Sequence, residues 1–199
     1  MRESRLIMED DADTSLPVAR RAVVVGSHAG LANAVAGALF AEGVEVSRSF
    51  DDTAGPLDVL VFIARDGGPT PIAATPAPAF SAALGGELKA AFLALQRGAA
   101  AMRLTGRGGS VVFVAPASAD HRAYDALQQG LRLLARSAAL ELGPEGIRVN
   151  MVLPGAGETP LGPPCTPADV AASVAFVASD RAHFMTGADL VVDGGRMAR

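Results

Sequence analysis

Short apolar runs alternate with longer amphipathic stretches over most of the chain. The runs are four to six residues long and rich in β-branched residues, mostly valine. This pattern is typical of parallel strands that are covered on both faces. Six strands are therefore predicted, over residues 22–25, 44–47, 58–63, 110–115, 148–153 and 189–192.

Four stretches between these runs carry apolar residues at every third or fourth position, which is typical of helices that pack one face on a sheet. They cover residues 31–42, 82–105, 124–142 and 167–179. Residues 66–78 contain four prolines and are predicted to form a loop. The alternation predicts one α/β domain over residues 21–199, preceded by a flexible arm over residues 1–20.

Composition narrows the classes of function. Of the 199 residues, 50% are hydrophobic, which is ample for a buried core, and the net charge of −4 offers no basic field for nucleic acid. A single cysteine, Cys165, cannot form an intrachain disulfide. No signal peptide, run of about 18 apolar residues or metal-ligand spacing is present, so we expect a cytoplasmic protein without membrane or metal. The alanine- and arginine-rich composition suggests a GC-rich bacterial source.

A glycine-containing turn follows the first predicted strand, in Val23-Val-Val-Gly-Ser-His-Ala-Gly-Leu-Ala32. A strand, a glycine turn and a helix start can aim free backbone N–H groups at a pyrophosphate. Any tight turn between a strand and a helix also favours glycine. Gly26 and Gly30 therefore leave phosphate binding and simple turn formation both open.

Two longer motifs resemble the short-chain dehydrogenase/reductase family. They are Arg136-Ser-Ala-Ala-Leu-Glu-Leu-Gly-Pro-Glu-Gly-Ile-Arg-Val-Asn-Met-Val-Leu-Pro-Gly155 and Met185-Thr-Gly-Ala-Asp-Leu-Val-Val-Asp-Gly-Gly195. The resemblance implies a Rossmann-type doubly wound parallel sheet, an NAD(P)(H) cofactor and hydride transfer at a carbon that bears oxygen. Thr159 matches the family threonine at the nicotinamide, although a threonine in a turn explains it equally well. The cofactor-binding residues implied by the resemblance are Gly26, Ser27, Gly30, Leu31, Asp51 and Thr159.

The family's catalytic residues are largely replaced. Its tyrosine is activated by a lysine four residues later on the same helix face, and the matching pair here is Tyr124 and Gln128. The only lysine, Lys89, lies on another predicted helix. The family serine is matched by Pro116, with Ser118 as a possible substitute, and Glu87 stands near the family's helix asparagine. Tyr124, Ser118 and Glu87 are thus the remaining catalytic candidates.

Two segments are shorter than in the family. Residues 51–57 alone separate the second and third predicted strands, so one β-α unit is missing at the adenine-side edge, where Arg48, Asp51 and Asp52 remain. Residues 160–166 are too short and too rich in proline to form the family's substrate lid. Cys165 lies in this remnant, with no evident base to activate it.

The surviving features favour assembly over chemistry. Helices 82–105 and 124–142 and the last strand resemble the surfaces through which the family oligomerises. We expect a degenerate subunit, with little or no dehydrogenase activity, that pairs with itself or with an active homologue as a structural or regulatory partner. The alternative is an atypical NAD(P)(H)-dependent ketone or alcohol oxidoreductase that uses Tyr124 without the lysine. A small-molecule binding role is a third hypothesis.

Overall fold

Six parallel strands form a single sheet at the centre of the fold. The computed structural model describes residues 20–51, 55–65, 71–115 and 122–198, with the backbone alone at residues 72, 83 and 122–124. The order across the sheet is β2-β1-β3-β4-β5-β6, and all pairs are parallel. The strands are β1 (Arg21–Gly26), β2 (Glu45–Ser47), β3 (Val59–Ile63), β4 (Gly109–Val114), β5 (Ile147–Pro154) and β6 (Asp189–Val192). The predicted doubly wound α/β sheet is confirmed.

Helices cover both faces of the sheet. On one face, α1 (Ala29–Ala41) packs against α5 (Pro167–Ala178) over an aliphatic core. On the other, α3 (Leu88–Arg103) and α4 (Arg122–Leu142) cover a second core that contains Phe113, the most voluminous fully buried side chain. None of the described helices is long and apolar enough to cross a lipid bilayer. Two buried faces explain why the strands are continuous apolar runs.

The segment that leads into α3 differs from the prediction, which was a loop over residues 66–78 and a single helix over residues 82–105. A helix α2 (Ala77–Ala82) begins inside the predicted loop and passes through a π-helical turn (Ala83–Glu87) into α3. Pro78 lies in the first turn of α2, where a proline lacks no intrahelical hydrogen bond. Gly85 and Gly86 then lower the helix propensity of the chain, and the turn widens there.

The sheet ends early on the β2 side. β2 has only three residues and pairs with β1 alone, while β3, the next strand in the sequence, lies on the other side of β1. This agrees with a missing β-α unit at that edge. The strand order reverses between β1 and β3, and in open α/β sheets such a switch point, at the carboxyl ends of the strands, is where ligands bind.

A buried amide joins the two motifs that carry the family resemblance. Asn150 in β5 donates from Nδ2 to the carbonyl of Met185, at 2.8 Å, and accepts from the N–H of Ala188, at 3.0 Å. The N–H of Val149 donates to the Thr186 hydroxyl, at 3.1 Å. Residues 185–188 are therefore held against β5 by buried polar contacts, which need partners in a core without water.

Candidate functional site

The glycine turn brings β1 and β3 together at the switch point. Gly26 ends β1 with φ +140°, and a Cβ on it would collide with the carbonyl of Ile63 at the end of β3. The N–H of Ser27 points to the same carbonyl, at 3.4 Å. Glycine is therefore required at position 26 by both its dihedral angle and the close approach of the two strands.

The N-terminus of α1 already has an acceptor from the chain itself. His28 is the N-cap residue, and its Nδ1 accepts a hydrogen bond from the N–H of Leu31, at 3.1 Å. The imidazole can accept at Nδ1 only when it is neutral with its proton on Nε2. One of the first-turn N–H groups that could face a phosphate is thus occupied by His28.

Side chains on the adenine side pair with one another. Arg48 donates to the carbonyl of Val24, at 3.2 Å, and to Oδ1 of Asn33, at 2.9 Å. The Asp51 carboxylate pairs with Arg97 of α3, at 3.1 Å, and the Arg97 guanidinium lies 4.7 Å from the centre of the Phe50 ring. Asp51, a predicted cofactor ligand, is therefore engaged in an exposed ion pair.

Glu87 is fixed at the carboxyl end of β3. Its Oε2 accepts from the backbone N–H of Arg65, at 3.1 Å, and its Oε1 lies 3.5 Å from the Arg65 Nε. The carboxylate is mostly buried, while the Arg65 side chain is exposed. Together with Phe50 and Arg97, Glu87 lines a cleft of about 370 Å³ beside Gly26. Glu87 is thus engaged by Arg65, and its catalytic role stays a prediction.

A second cleft lies between the N-termini of α1 and α5. It measures about 230 Å³ and is lined by His28 and Leu31 on one side and Cys165 and Thr166 on the other. Burial raises the pKa of the Cys165 thiol, and the carboxylates of Asp169 and Asp193 raise it further. The thiol is therefore protonated at neutral pH and is not an activated nucleophile.

Thr159 lies in a turn beyond this cleft. Its hydroxyl donates to the carbonyl of Gly162, at 3.3 Å, and its side chain packs against Gly194, where any Cβ would collide with it. The bridge between Thr159 and Gly162 closes a short turn, and residues 160–166 contain no helix. These seven residues thus form no lid helix, and the role of Thr159 at a nicotinamide stays a prediction.

Only some of the predicted catalytic residues lie in the described part of the chain. Pro116 and Ser118 lie outside the described residues, as do Asp52 and the side chain of Tyr124. Gln128 follows Tyr124 by one turn of α4 and is partly exposed. The arm predicted over residues 1–20 lies outside the described part of the chain except for Arg20, which donates to the carbonyl of Ala178.

Sequence reasoning missed the contacts that occupy this region. His28 accepts from a first-turn N–H that the glycine-turn pattern predicted to be free. Arg65 and Arg97 contact the carboxylates of Glu87 and Asp51, which the family resemblance assigned to catalysis and cofactor binding. Only His28 left a signal, because it directly precedes the first turn of a predicted helix, although histidine is not among the preferred N-cap residues. Arg65 and Arg97 meet partners 22 and 46 residues away, which no local pattern reveals.

Comparison with known proteins places this geometry in a family. A family profile described as enoyl-(acyl carrier protein) reductase matches residues 45–164 and 156–196. The chain belongs to the short-chain dehydrogenase/reductase family. Among solved structures, an oxidoreductase of the short-chain dehydrogenase/reductase family from Burkholderia thailandensis has a TM-score of 0.79 and 27% identity and covers 90% of this chain and 94% of its own. The TT0495 protein of Thermus thermophilus has a TM-score of 0.79 and 28% identity, with 90% and 100% covered.

Curated members of the short-chain dehydrogenase/reductase family are similar in sequence over part of the chain. L-rhamnose 1-dehydrogenase (NAD(P)(+)) of Azotobacter vinelandii is 36% identical, over 56% of this chain and 54% of that enzyme. A 3-alpha-(or 20-beta)-hydroxysteroid dehydrogenase of Mycobacterium tuberculosis is 37% identical, over 56% and 50%. The chain thus spans about half the length of the curated relatives it matches.

Proposed function

We propose that this chain is a short-chain dehydrogenase/reductase subunit with little or no dehydrogenase activity, which assembles with itself or with an active homologue through α3 and α4. The observation that carries the proposal is the apolar outer surface of these two helices. We call this surface, which is formed by Phe92, Leu133, Leu134 and Leu140, the α3/α4 face.

The α3/α4 face has the character of a protein interface. Leu133 and Leu140 lie one heptad apart on α4 and are 64% and 83% exposed. Phe92 and Leu134 line a groove of about 520 Å³ between the two helices, which has Gln96, Arg103 and Glu141 on its rim. An apolar centre with a polar rim is the usual anatomy of a protein–protein interface.

The contacts at the cofactor end support low activity. Gln128 carries no charge to lower the pKa of a tyrosine one helical turn away. Glu87 is paired with Arg65, and the Cys165 thiol is protonated at neutral pH. Proton transfer would then lack the activated acid or base that gives such reactions about 10²- to 10⁴-fold of rate.

Light scattering on a sizing column tests the assembly. We expect the purified chain to be a dimer or larger, and Leu133→Arg combined with Leu140→Arg to raise the dissociation constant roughly tenfold or more, because a charge is then buried in an apolar interface. Leu161→Arg is the matched control, since Leu161 is 86% exposed and lies outside this face.

The outcomes separate the two kinds of partner. A chain that stays monomeric at about 100 μM, far above typical interface dissociation constants, excludes self-assembly through this face. Co-expression with an active family dehydrogenase from the same source then tests the second partner. The proposal is overturned if no complex forms, or if the arginine variants and the control behave alike.

The second candidate is an atypical NAD(P)(H)-dependent ketone or alcohol oxidoreductase. The retained strand, glycine turn and helix at Gly26 favour it, and one relative is named an NAD(P)(+) dehydrogenase. Here Gly26, Ser27, Gly30 and Leu31 would hold the cofactor, which would supply hydride. Calorimetric titration with NADH and NADPH tests this candidate: micromolar binding keeps it, and screening of carbonyl substrates with Tyr124→Phe as control follows. No binding at millimolar cofactor removes it.

A further inference from the structure

A large cleft opens at the edge of the sheet opposite the glycine turn. It measures about 920 Å³ and lies at the amino-terminal ends of β3, β4 and β5, beside Asp58, Gly109 and Ile147. The segment between α5 and β6, including Phe184, forms its other wall. The cleft is therefore separated from Gly26, at the carboxyl end of β1, by the full length of the strands.

Three arginines converge on this cleft. Arg107 donates from Nη2 to the Asp58 carboxylate, at 2.7 Å, and its side chain is 52% exposed. Arg20 lies 3.6 Å from Asp180. The guanidinium of Arg148 donates to three backbone carbonyls, that of Val177 in the last turn of α5 and those of Ser179 and Met185 between α5 and β6. Arg148 thus brings a positive charge that no carboxylate within ion-pair distance balances among the described residues.

The charges and donors in the cleft leave room for an anion. Two carboxylates, Asp58 and Asp180, face three guanidinium groups, so the lining carries one excess positive charge. Arg107 uses one of its five N–H donors in its contact with Asp58, as far as the described residues show. Gly108 and Gly146 also line the cleft, so no side chain projects from these two positions.

We propose that this cleft binds a small, multiply charged oxyanion, a phosphate compound or a di- or tricarboxylate, with Arg107 as its principal contact. Guanidinium groups bind both carboxylates and phosphates through paired N–H donors. The volume lies within the range of about 300–1,000 Å³ that is usual for small-molecule sites. Phe184 is 95% exposed on the rim, where its ring can cover the bound ligand.

A tryptophan at the rim makes the binding measurable, because the chain contains no tryptophan of its own. We would titrate the full chain with Phe184→Trp against inorganic pyrophosphate and against citrate, at constant ionic strength set with sodium chloride. We expect a saturable change in indole emission with a half-saturation below about 1 mM, and a matching heat of binding in the unsubstituted chain. Whichever of the two anions binds more tightly identifies the class of the ligand as phosphate or carboxylate.

Arg107→Gln and Arg136→Gln form a matched pair of variants. Arg136 is 54% exposed and pairs with Asp189 at 2.8 Å, much as Arg107 pairs with Asp58, but it lies outside the cleft. We expect Arg107→Gln to weaken binding about tenfold and Arg136→Gln to leave it unchanged, since a charge-assisted hydrogen bond is lost only in the first.

Three results would overturn the proposal. The first is the absence of both emission change and heat at 10 mM of either anion, and the second is an equal loss of binding in the two arginine variants. The third involves Glu9, Asp10, Asp11 and Asp13, which precede Arg20 in the sequence. Binding that appears only after these four are changed to Gln and Asn would mean that the cleft holds carboxylates of the chain itself and no free ligand.

Discussion

His28 occupies the N-cap of α1 with an imidazole that accepts from the N–H of Leu31. That N–H is one of the donors with which a glycine turn of this type would hold a pyrophosphate. Cofactor binding therefore requires that the imidazole give up this hydrogen bond. The imidazole and a cofactor phosphate would therefore compete for the same N–H.

Replacing His28 changes this competition. We expect His28→Ala to tighten NADH binding roughly tenfold, because one N–H becomes free for a charge-assisted hydrogen bond to phosphate. His28→Asn is the control, since asparagine is a good N-cap and keeps an acceptor on the same N–H. Calorimetry measures both dissociation constants. If the two variants tighten binding equally, the bulk of the ring and not its hydrogen bond limits the cofactor.

Asn150 is the residue on which the buried polar network depends. We expect Asn150→Ala to lower the free energy of unfolding by about 1–3 kcal/mol, because the N–H of Ala188 loses its partner and the carbonyl of Met185 keeps only the longer hydrogen bond from Arg148. Asn150→Asp should cost more, since a buried charge then faces that carbonyl. Urea unfolding measures both changes. Gln129→Ala, at an exposed amide, should change the free energy by less than about 0.5 kcal/mol.

Within the site, the contacts of individual side chains were the feature that the sequence predicted least well. Gly26 was identified from its motif, because backbone geometry constrains a local pattern. The partners of Asp51 and Glu87 were not, since Arg97 and Arg65 reach them across the fold. A charged side chain in a predicted site can be a ligand or half of an ion pair, and sequence spacing alone does not distinguish the two.

Among the elements, α5 has the most complete helix start. Thr166 accepts from the N–H of Asp169, and the Asp169 carboxylate accepts from the N–H of Thr166, which is a capping box. Hydrogen bonds from the Thr166 hydroxyl and backbone lower the pKa of Asp169. The charged carboxylate therefore stabilises the helix above its ordinary pKa, and this contribution is lost as the pH falls from that ordinary value through the lowered one.

Asp169→Asn tests this pH dependence. We expect the variant to unfold at lower urea concentration than the unsubstituted chain at pH 7, and the difference to shrink below about pH 4, where the carboxylate becomes protonated in the unfolded chain and then in the folded chain. Ser173→Ala, on the same helix but without a titrating group, should show a difference that does not vary between pH 3 and 7. A constant difference for Asp169→Asn would contradict the capping role.

Elements were predicted well wherever burial dictated them. All six strands and the helices α1, α4 and α5 lie within a few residues of their predicted positions, because strands covered on both faces and amphipathic helices have distinct periods. The prediction for the stretch before α3 was wrong. The prolines there were interpreted as helix breakers, although a proline in the first turn is compatible with a helix. The glycine pair at the π-helical turn gave no periodic signal.

At the scale of the whole molecule, the missing β-α unit was predicted from the length of one segment. Residues 51–57 are too few for a helix and a strand, so the family's outer β-α unit had to be absent. The proposed assembly could be anticipated only in outline, since exposure of Leu133 and Leu140 depends on how α3 and α4 pack. The arginine-lined cleft was not predicted at all, because its residues come from five separate segments of the chain.

The buried contacts between β5 and residues 185–188 also bear on the order in which parts of the chain can be buried during synthesis. A ribosome completes β5 well before it reaches Ala188, and until then the amide of Asn150 has only water as a partner. Burying β5 earlier would leave that amide unsatisfied in an apolar core. We therefore expect β5 to stay hydrated during synthesis, and accessible to chaperones, until residues 185–188 have been made.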